Sequence, residues 1–272
     1  MEKYLYDLID ILIVVFFLFI SKKTADYLTK FDDDEAIEKV GNTAVALRRF
    51  GLYFGMSMAL CGVLSTETSL KDILSFFLSG VLVMVLFFLS HYINKYLYLR
   101  GIDHNECIRG CNNAVGIVEC GIYAATGLVL NGVFSGEGGG LMAALVFFAL
   151  AQVVMALVFL ITDKMYQIGI KDEIKGGNFS AGIVLAGVTV SYAVILRASV
   201  TGDFIGWGRG LMAFFTSALI GLVLLVVIQK ASDYIFLPGT TISEQVKNGN
   251  TAAVAVVEAI SLSIAVAISQ VI

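Results

Sequence analysis

The segment from Ile108 to Phe134 reads IRGCNNAVGIVECGIYAATGLVLNGVF. A short polar phrase opens it, and the apolar run that follows is about as long as the 20 residues that a helix needs to cross a bilayer. Glu119 is the one charged residue in that run. Its many Gly and Ala residues allow neighbouring helices to approach closely in lipid. The stretch therefore predicts a membrane-spanning helix that packs against other helices.

The composition extends this prediction to the whole chain. Of its 272 residues, 58% are hydrophobic and 15% are charged, whereas a soluble domain carries roughly 25% charged residues. This excludes a disordered chain and a disulfide scaffold, and it argues against a soluble enzyme. The net charge of −4 provides no basic surface for nucleic acid. The Cys and His spacing matches no standard zinc pattern, so the sequence predicts neither a metal nor a cofactor.

Eight segments are long and apolar enough to span a membrane. They cover residues 4–21, 43–64, 72–92, 113–134, 141–162, 179–200, 208–229 and 251–272. Long polar loops follow the odd-numbered spans and hold most of the Lys and Arg residues. Because positively charged loops stay in the cytoplasm, we expect cytoplasmic long loops and both termini outside. The even spans carry small residues at intervals of four, so we expect even helices inside and odd helices outside.

A fourfold repeat runs through the chain. Each long loop ends in a phrase with a basic residue three places before an Asn, and the four residues are Asn42, Asn112, Asn178 and Asn250. An acidic residue follows 25 residues after the first three of them, at Glu67, Glu137 and Asp203. Each repeat crosses the membrane twice, so the four repeats are predicted to be parallel. Two domains follow from this division, residues 1–137 (repeats 1–70 and 71–137) and residues 138–272 (repeats 138–206 and 207–272).

The repeat phrase resembles that of a known family. A basic residue, an Asn and a Thr-Ala pair that open a Gly/Ala-rich span, as in Asn42-Thr43-Ala44 and Asn250-Thr251-Ala252, are similar to the bacterial inner-membrane domain of unknown function number 350. Asn178-Phe179-Ser180 departs from this pattern. Members of this uncharacterised, UPF-type family typically have four spans, so the chain resembles a tandem duplication over nearly its whole length. The resemblance implies a multi-pass inner-membrane protein and implies no activity.

The even helices are predicted to carry a polar stripe. Eleven residues after the repeat Asn is three helical turns at about 100° per residue, and all four residues there carry a hydroxyl: Tyr53, Tyr123, Thr189 and Ser261. Seven or eight residues after the Asn stand Arg49, Glu119 and Glu258. Charged residues inside spans are costly and usually face the bundle interior or a cavity. They therefore indicate either a polar pathway or a structural ion pair of Arg49 with Glu119 or Glu258.

The repeat Asn residues also have two interpretations. Asn is a favoured N-cap and would satisfy the free N–H groups at the start of each even helix. The alternative is that they line a cytoplasmic vestibule where aligned helix N-termini attract an anion. The acidic run Asp32–Glu35 is interpreted as solvated.

These patterns predict a channel or transporter for a small ion or cationic solute, held in the lipid bilayer and not an enzyme. The alternative is a membrane scaffold, of the envelope-stress type, that recruits a cytoplasmic protein partner through its long loops. Oligomerisation is left open by the sequence.

Overall fold

The chain is all-helical in the computed structural model, which describes residues 2–29, 31–64, 69–99, 101–136, 138–236 and 239–271. Within those ranges there is no β-strand. A long helix, a helix of six residues and a second long helix follow one another four times. The first half contains α1 (Glu2–Leu28), α2 (Asp33–Glu38), α3 (Thr43–Cys61), α4 (Leu70–Tyr98), α5 (His104–Arg109) and α6 (Asn113–Phe134). The second half contains α7 (Gly140–Tyr166), α8 (Ile170–Lys175), α9 (Phe179–Val200), α10 (Trp207–Phe236), α11 (Ile242–Lys247) and α12 (Thr251–Ser269).

Seven of these helices are long and apolar enough to cross a membrane, namely α1, α4, α6, α7, α9, α10 and α12. The protein is therefore a multi-pass membrane protein. The eighth expected span corresponds to α3, which is less apolar because it carries Arg48 and Arg49. The outer helices α4, α7 and α10 are longer than the predicted spans, so the polar loops between them and the inner helices are shorter than the sequence suggested.

The short helices are held by caps at their starts and by apolar side chains beneath them. Asp32, Asp103 and Thr241 each accept a hydrogen bond from the backbone N–H three residues on, as N-caps do. Ile108, Ile174 and Val246 are fully buried. The caps of α2, α5 and α11 and the buried side chains of α5, α8 and α11 hold these six-residue helices against the long helices, although a helix this short is unstable alone.

The helices α3, α6, α9 and α12 lie side by side in that order and form a row. Between neighbouring helices of the row, a Gly nine residues after one repeat Asn lies against a residue eight places after the next. The pairs are Gly51 with Cys120, Gly121 with Ala186 and Gly187 with Glu258. A Cβ on Gly121 would lie only 2.8 Å from the Ala186 Cα, so any larger residue would push the two helices apart.

The far ends of these helices meet in the same register. A Gly twenty residues after one repeat Asn contacts a residue nineteen places after the next, in the pairs Gly62 with Asn131 and Gly132 with Arg197. Because corresponding positions meet at both ends, the helices of the row run in the same direction. Small residues at these positions permit the close spacing.

The row is open, which changes one expectation about the inner helices. The helix α6 is enclosed, with nearly every residue from Ala114 to Gly132 buried, and α9 is similar. The helix α12 was expected inside but has one exposed face, which includes Ala252, Ala259 and Ser263. That expectation is wrong for α12, because α12 ends the row of described helices and packs on α9 on one side only.

Candidate functional site

The repeat Asn residues connect each repeat to the next. Each caps its helix by accepting a backbone N–H: Asn42 from Val45, Asn112 from Val115, Asn178 from Ala181 and Asn250 from Ala253. The amide groups of the first three also donate to a carbonyl at the end of the next short helix, at Ile108 (2.8 Å), Ile174 (3.0 Å) and Val246 (2.8 Å). Each of these three Asn side chains thus satisfies a free backbone N–H at the start of its own helix and a free carbonyl at the end of the next short helix.

A buried charge cluster lies where α2 packs on α3. The guanidinium of Arg48 donates from Nη2 to both carboxylate oxygens of Asp33, at 2.7 and 2.8 Å. Asp33 is only 2% exposed. A buried charge of this kind needs a partner with good geometry, and each of these two residues supplies the other with one.

Arg49 shares the same carboxylate. Its Nη2 lies 2.8 Å from Asp33 Oδ2, and it also pairs with Asp26 from α1. Among the described ion pairs, Arg49 is therefore joined to these two aspartates and not to Glu119 or Glu258. The acidic run Asp32–Glu35 is not simply solvated, because Asp33 turns inward to meet two buried arginines.

Glu119 belongs to the same cluster from the α6 side. Its Oε1 lies 2.6 Å from Nδ1 of His104, which is the first residue of α5. Its Oε2 lies 3.9 Å from Arg48 Nε, too far for a hydrogen bond. Within the described residues, neither this oxygen nor His104 Nε2 has a hydrogen-bond partner. The carboxylate is thus buried, held at one oxygen and open at the other.

A cleft reaches this carboxylate between α1, α3, α4 and α6. Arg48, Arg49, His91, Glu119 and Tyr123 form its polar wall, and it holds about 480 Å³ of empty space, part of it open to the outside. The rings of His91 and Tyr123 stack with centroids 4.3 Å apart. The cleft therefore brings together three of the predicted stripe residues, Arg49, Glu119 and Tyr123.

A second polar group lies at the other end of the row. Gln229 of α10 donates from Nε2 to Ser261 Oγ at 3.2 Å and to Glu258 Oε2 at 3.5 Å, and its Oε1 accepts from the Tyr166 hydroxyl. Glu258 is 4% exposed. These hydrogen bonds join α7, α10 and α12. Glu258 and Ser261 thus lie together, apart from the Glu119 cleft.

The remaining predicted site residues lie elsewhere. Thr189 is buried and donates to Leu185 O of its own helix, and Tyr53 is half-buried on α3. Asp203 lies exposed between α9 and α10, whereas Glu67 and Glu137 lie outside the described residues. Because the inner helices form a row, their polar positions divide into two groups and do not surround one axis.

Three members of the charge cluster were missed by the sequence reasoning: Asp26, Asp33 and His104. The available signal was the adjacent pair Arg48 and Arg49 in an apolar helix, since two buried cations require nearby anions. Asp33 follows the Asp32 cap and is the first residue of α2, the short helix that precedes α3. His104 follows the Asp103 cap of α5 in the same way.

Comparisons with known proteins agree with this architecture. The family model described as Domain of Unknown Function (DUF350) matches twice, at residues 3–134 and 137–272. The chain is 24% identical over 252 residues to a UPF0719 transmembrane protein of Aquifex aeolicus (strain VF5), covering 89% of this chain and 91% of the relative. No solved structure matches the chain.

Proposed function

The chain belongs to the Domain of Unknown Function (DUF350) family, which it matches in two tandem regions, and we propose that it moves a small ion or cationic solute across the membrane through the cleft at Glu119. Ionisable groups inside a membrane segment are expensive and commonly serve conduction or proton transfer. The proposal includes no catalysed reaction.

One observation carries this proposal. Glu119 Oε2 is buried, borders the cleft and accepts no hydrogen bond within the described residues. A carboxylate oxygen in this state attracts a cation or a proton, because an unsatisfied buried acceptor retains most of its desolvation cost. The other oxygen lies 2.6 Å from Nδ1 of His104, within hydrogen-bond distance, so the imidazole is placed to exchange a proton with the carboxylate.

The finer topology is part of the same proposal. The helix α3 has 19 residues, about 28 Å of length at 1.5 Å per residue, close to the thickness of a bilayer core. It runs beside α6 in register from Gly51 to Gly62. This supports α3 as an eighth span and the chain as four parallel two-helix repeats in the bacterial inner membrane. The Lys and Arg residues of the long loops favour short helices in the cytoplasm and both termini outside.

Cysteine labelling tests this topology. Cys61 at the end of α3 and Cys111 before α6 are both exposed. With eight spans, a membrane-impermeant maleimide should label Cys111 only from the cytoplasmic side and Cys61 only from the outside. Labelling of both from one side would overturn the eighth span without bearing on transport.

Flux measurements test the transport proposal. In proteoliposomes with a K⁺ gradient, wild-type protein should dissipate the gradient or carry protons, read with a pH-sensitive dye. Glu119→Gln should reduce the rate by at least about tenfold, since it removes the negative charge at the cleft. Ser263→Ala on the exposed face of α12 is the matched control and should leave the rate unchanged. Absence of flux in wild type, or an unchanged rate in Glu119→Gln, would overturn the proposal.

A scaffold role is the second candidate, and the row of short helices is the observation that favours it. Asn side chains tie α5, α8 and α11 to the helix starts of the preceding repeats, so each of these short helices is fixed in position. Rigid surfaces lower the entropic cost of binding a partner. Under this proposal, Glu106→Gln with Asp172→Asn on exposed positions of α5 and α8 should weaken recruitment of a cytoplasmic protein, while wild-type proteoliposomes show no flux.

A further inference from the structure

The row of inner helices is built from one interface used three times. One face of each helix contains the positions nine and twenty residues after its repeat Asn. In the contacts described, this face packs on the next helix, on the face that contains the positions eight and nineteen residues after its own repeat Asn. We refer to these as the leading face and the receiving face of a helix. Both faces of α6 and α9 are engaged. The leading face of α12 and the receiving face of α3 are the two left over.

The leading face of α12 is exposed and made of small residues. Its residues at the corresponding positions are Ala252, Ala259, Ser263, Ala267 and Gln270, all exposed. On α3 and α6, the positions two, nine and twenty residues after the repeat Asn hold Gly or Ala and lie close against the backbone of the next helix. The face of α12 therefore has the composition of an interface and lacks the neighbour.

The receiving face of α3 is exposed in a complementary way. It carries Ala46, Phe50, Tyr53, Ser57 and Cys61, of which Phe50 is 64% exposed and stacks on Phe54. In α6 the equivalent positions are all buried beneath α3. The aromatic side chains of α3 would fill a groove lined by the small side chains of α12, and small residues permit such close approach in lipid.

A polar contact points to the same partner. The amides of Asn42, Asn112 and Asn178 each donate to the end of the next short helix. Asn250 has the same cap but its amide donates to Gln245 of its own repeat, and its side chain is exposed. The amide of Asn250 therefore makes no described contact with the end of a following short helix. The helix α2 of a second copy would provide that helix end.

We infer that the leading face of α12 binds the receiving face of α3 in a second copy of this chain, head to tail, continuing the row. The two faces differ, so the interface is heterologous, and repeating it gives a closed ring or an extended chain of copies. Within one chain α3 and α12 are at opposite ends of the row and form no such interface in the described residues.

Cross-linking between two tagged forms tests the pairing. Gly62 and Gly132 show that position twenty of one helix meets position nineteen of the next, which places residue 270 of one copy beside Cys61 of another. One form keeps Cys61 and Gln270, and the other carries Cys61→Ser and Gln270→Cys. Oxidation of the mixture in membranes should give a product that contains both tags. Met212→Cys, exposed at the start of α10, replaces Gln270→Cys in the matched control and should give no such product.

Three results would overturn the inference. The first is the absence of the mixed product. The second is a product between two Cys61 chains in place of it, which indicates a symmetric contact between like faces. A cross-link within a single chain carrying Cys61 and Gln270→Cys would equally contradict it, since the row would then close on itself.

The mass of the purified assembly tests the association of copies independently of cross-linking. Purified wild-type protein in detergent or nanodiscs should contain two or more copies. Ala259→Trp should weaken association by about tenfold or more, because a bulky residue prevents close packing. Val223→Trp on the exposed side of α10 is the matched control and should not change the mass. A monomeric wild type, or an unaffected Ala259→Trp, would contradict the inference whether or not the protein carries out transport.

Discussion

Two buried carboxylates at nearly the same depth are held in different ways at the two ends of the row. Glu119 stands seven residues after its repeat Asn and lies with His104, Arg48 and, through Arg48, Asp33. Glu258 stands eight residues after its own and contacts the amide of Gln229. In the contacts described, Glu119 faces the imidazole of His104 and the guanidinium of Arg48, whereas Glu258 faces the side-chain amide of Gln229. Duplicated units have thus diverged where the polar stripe crosses them, while the packing between helices has kept one register.

This difference has an energetic consequence. Removing one member of a buried ion pair leaves the other charge without compensation, which costs far more than losing a neutral hydrogen bond. The first half should therefore be more sensitive to substitution than the second.

Arg48→Met should have the largest effect. It leaves Asp33 to Arg49 alone and removes the cation next to Glu119, so we expect a loss of about 3–5 kcal/mol in the free energy of unfolding. Denaturant titration in detergent measures this. Arg209→Met at an exposed position is the matched control and should change stability little. If Arg48→Met lowers the free energy of unfolding no more than Arg209→Met does, the charge cluster does not stabilise the fold.

His104→Ala should have the next largest effect. It removes the partner of Glu119 Oε1 at 2.6 Å, and a buried acceptor left unsatisfied costs about 1–3 kcal/mol. His104→Gln retains an N–H donor and should recover part of the loss. If both variants unfold alike, the contact contributes by packing and not by hydrogen bonding.

Glu258→Gln should destabilise the protein by no more than about 1 kcal/mol, since a side-chain amide can both donate and accept. Its neighbour Gln229 can pair with either form. Thermal unfolding of Glu258→Gln and of Glu119→Gln, each measured against wild type, compares the two ends of the row. A larger loss in Glu258→Gln than in Glu119→Gln would reverse the proposed contrast.

Much of the helical arrangement was accessible from the sequence, because it follows local rules. The apolar runs place the long helices, and the spacing of Asn42, Asn112, Asn178 and Asn250 gives the order of elements. The position of Asp33 was not accessible, since an acidic run looks the same whether one member turns inward or not. The open row was also missed, because small residues on α12 indicate a contact without showing whether its neighbour belongs to the same chain.

The smallest effects concern two carboxylates on short helices in corresponding repeats. Lys22 donates to Asp34 beside α2 and holds the pKa of that carboxyl below its usual value. The hydroxyl of Thr240, followed by the backbone of Thr241, lowers the pKa of Glu244 on α11. A depressed pKa stabilises the folded state above the unfolded pKa, and this contribution is lost as pH falls through the folded pKa.

Asp34→Asn should therefore cost roughly 0.2–1 kcal/mol at neutral pH, and its difference from wild type should shrink as the solution is acidified below the ordinary Asp pKa. Glu244→Gln should show the same direction with pH. Salt separates the two, because added salt screens the exposed Lys22–Asp34 pair and affects the neutral partners of Glu244 much less. Unfolding curves of both variants at low and high ionic strength measure this. An equal response to salt would mean that the two ends of the molecule stabilise their short helices by the same electrostatics, contrary to the contrast drawn from Glu119 and Glu258.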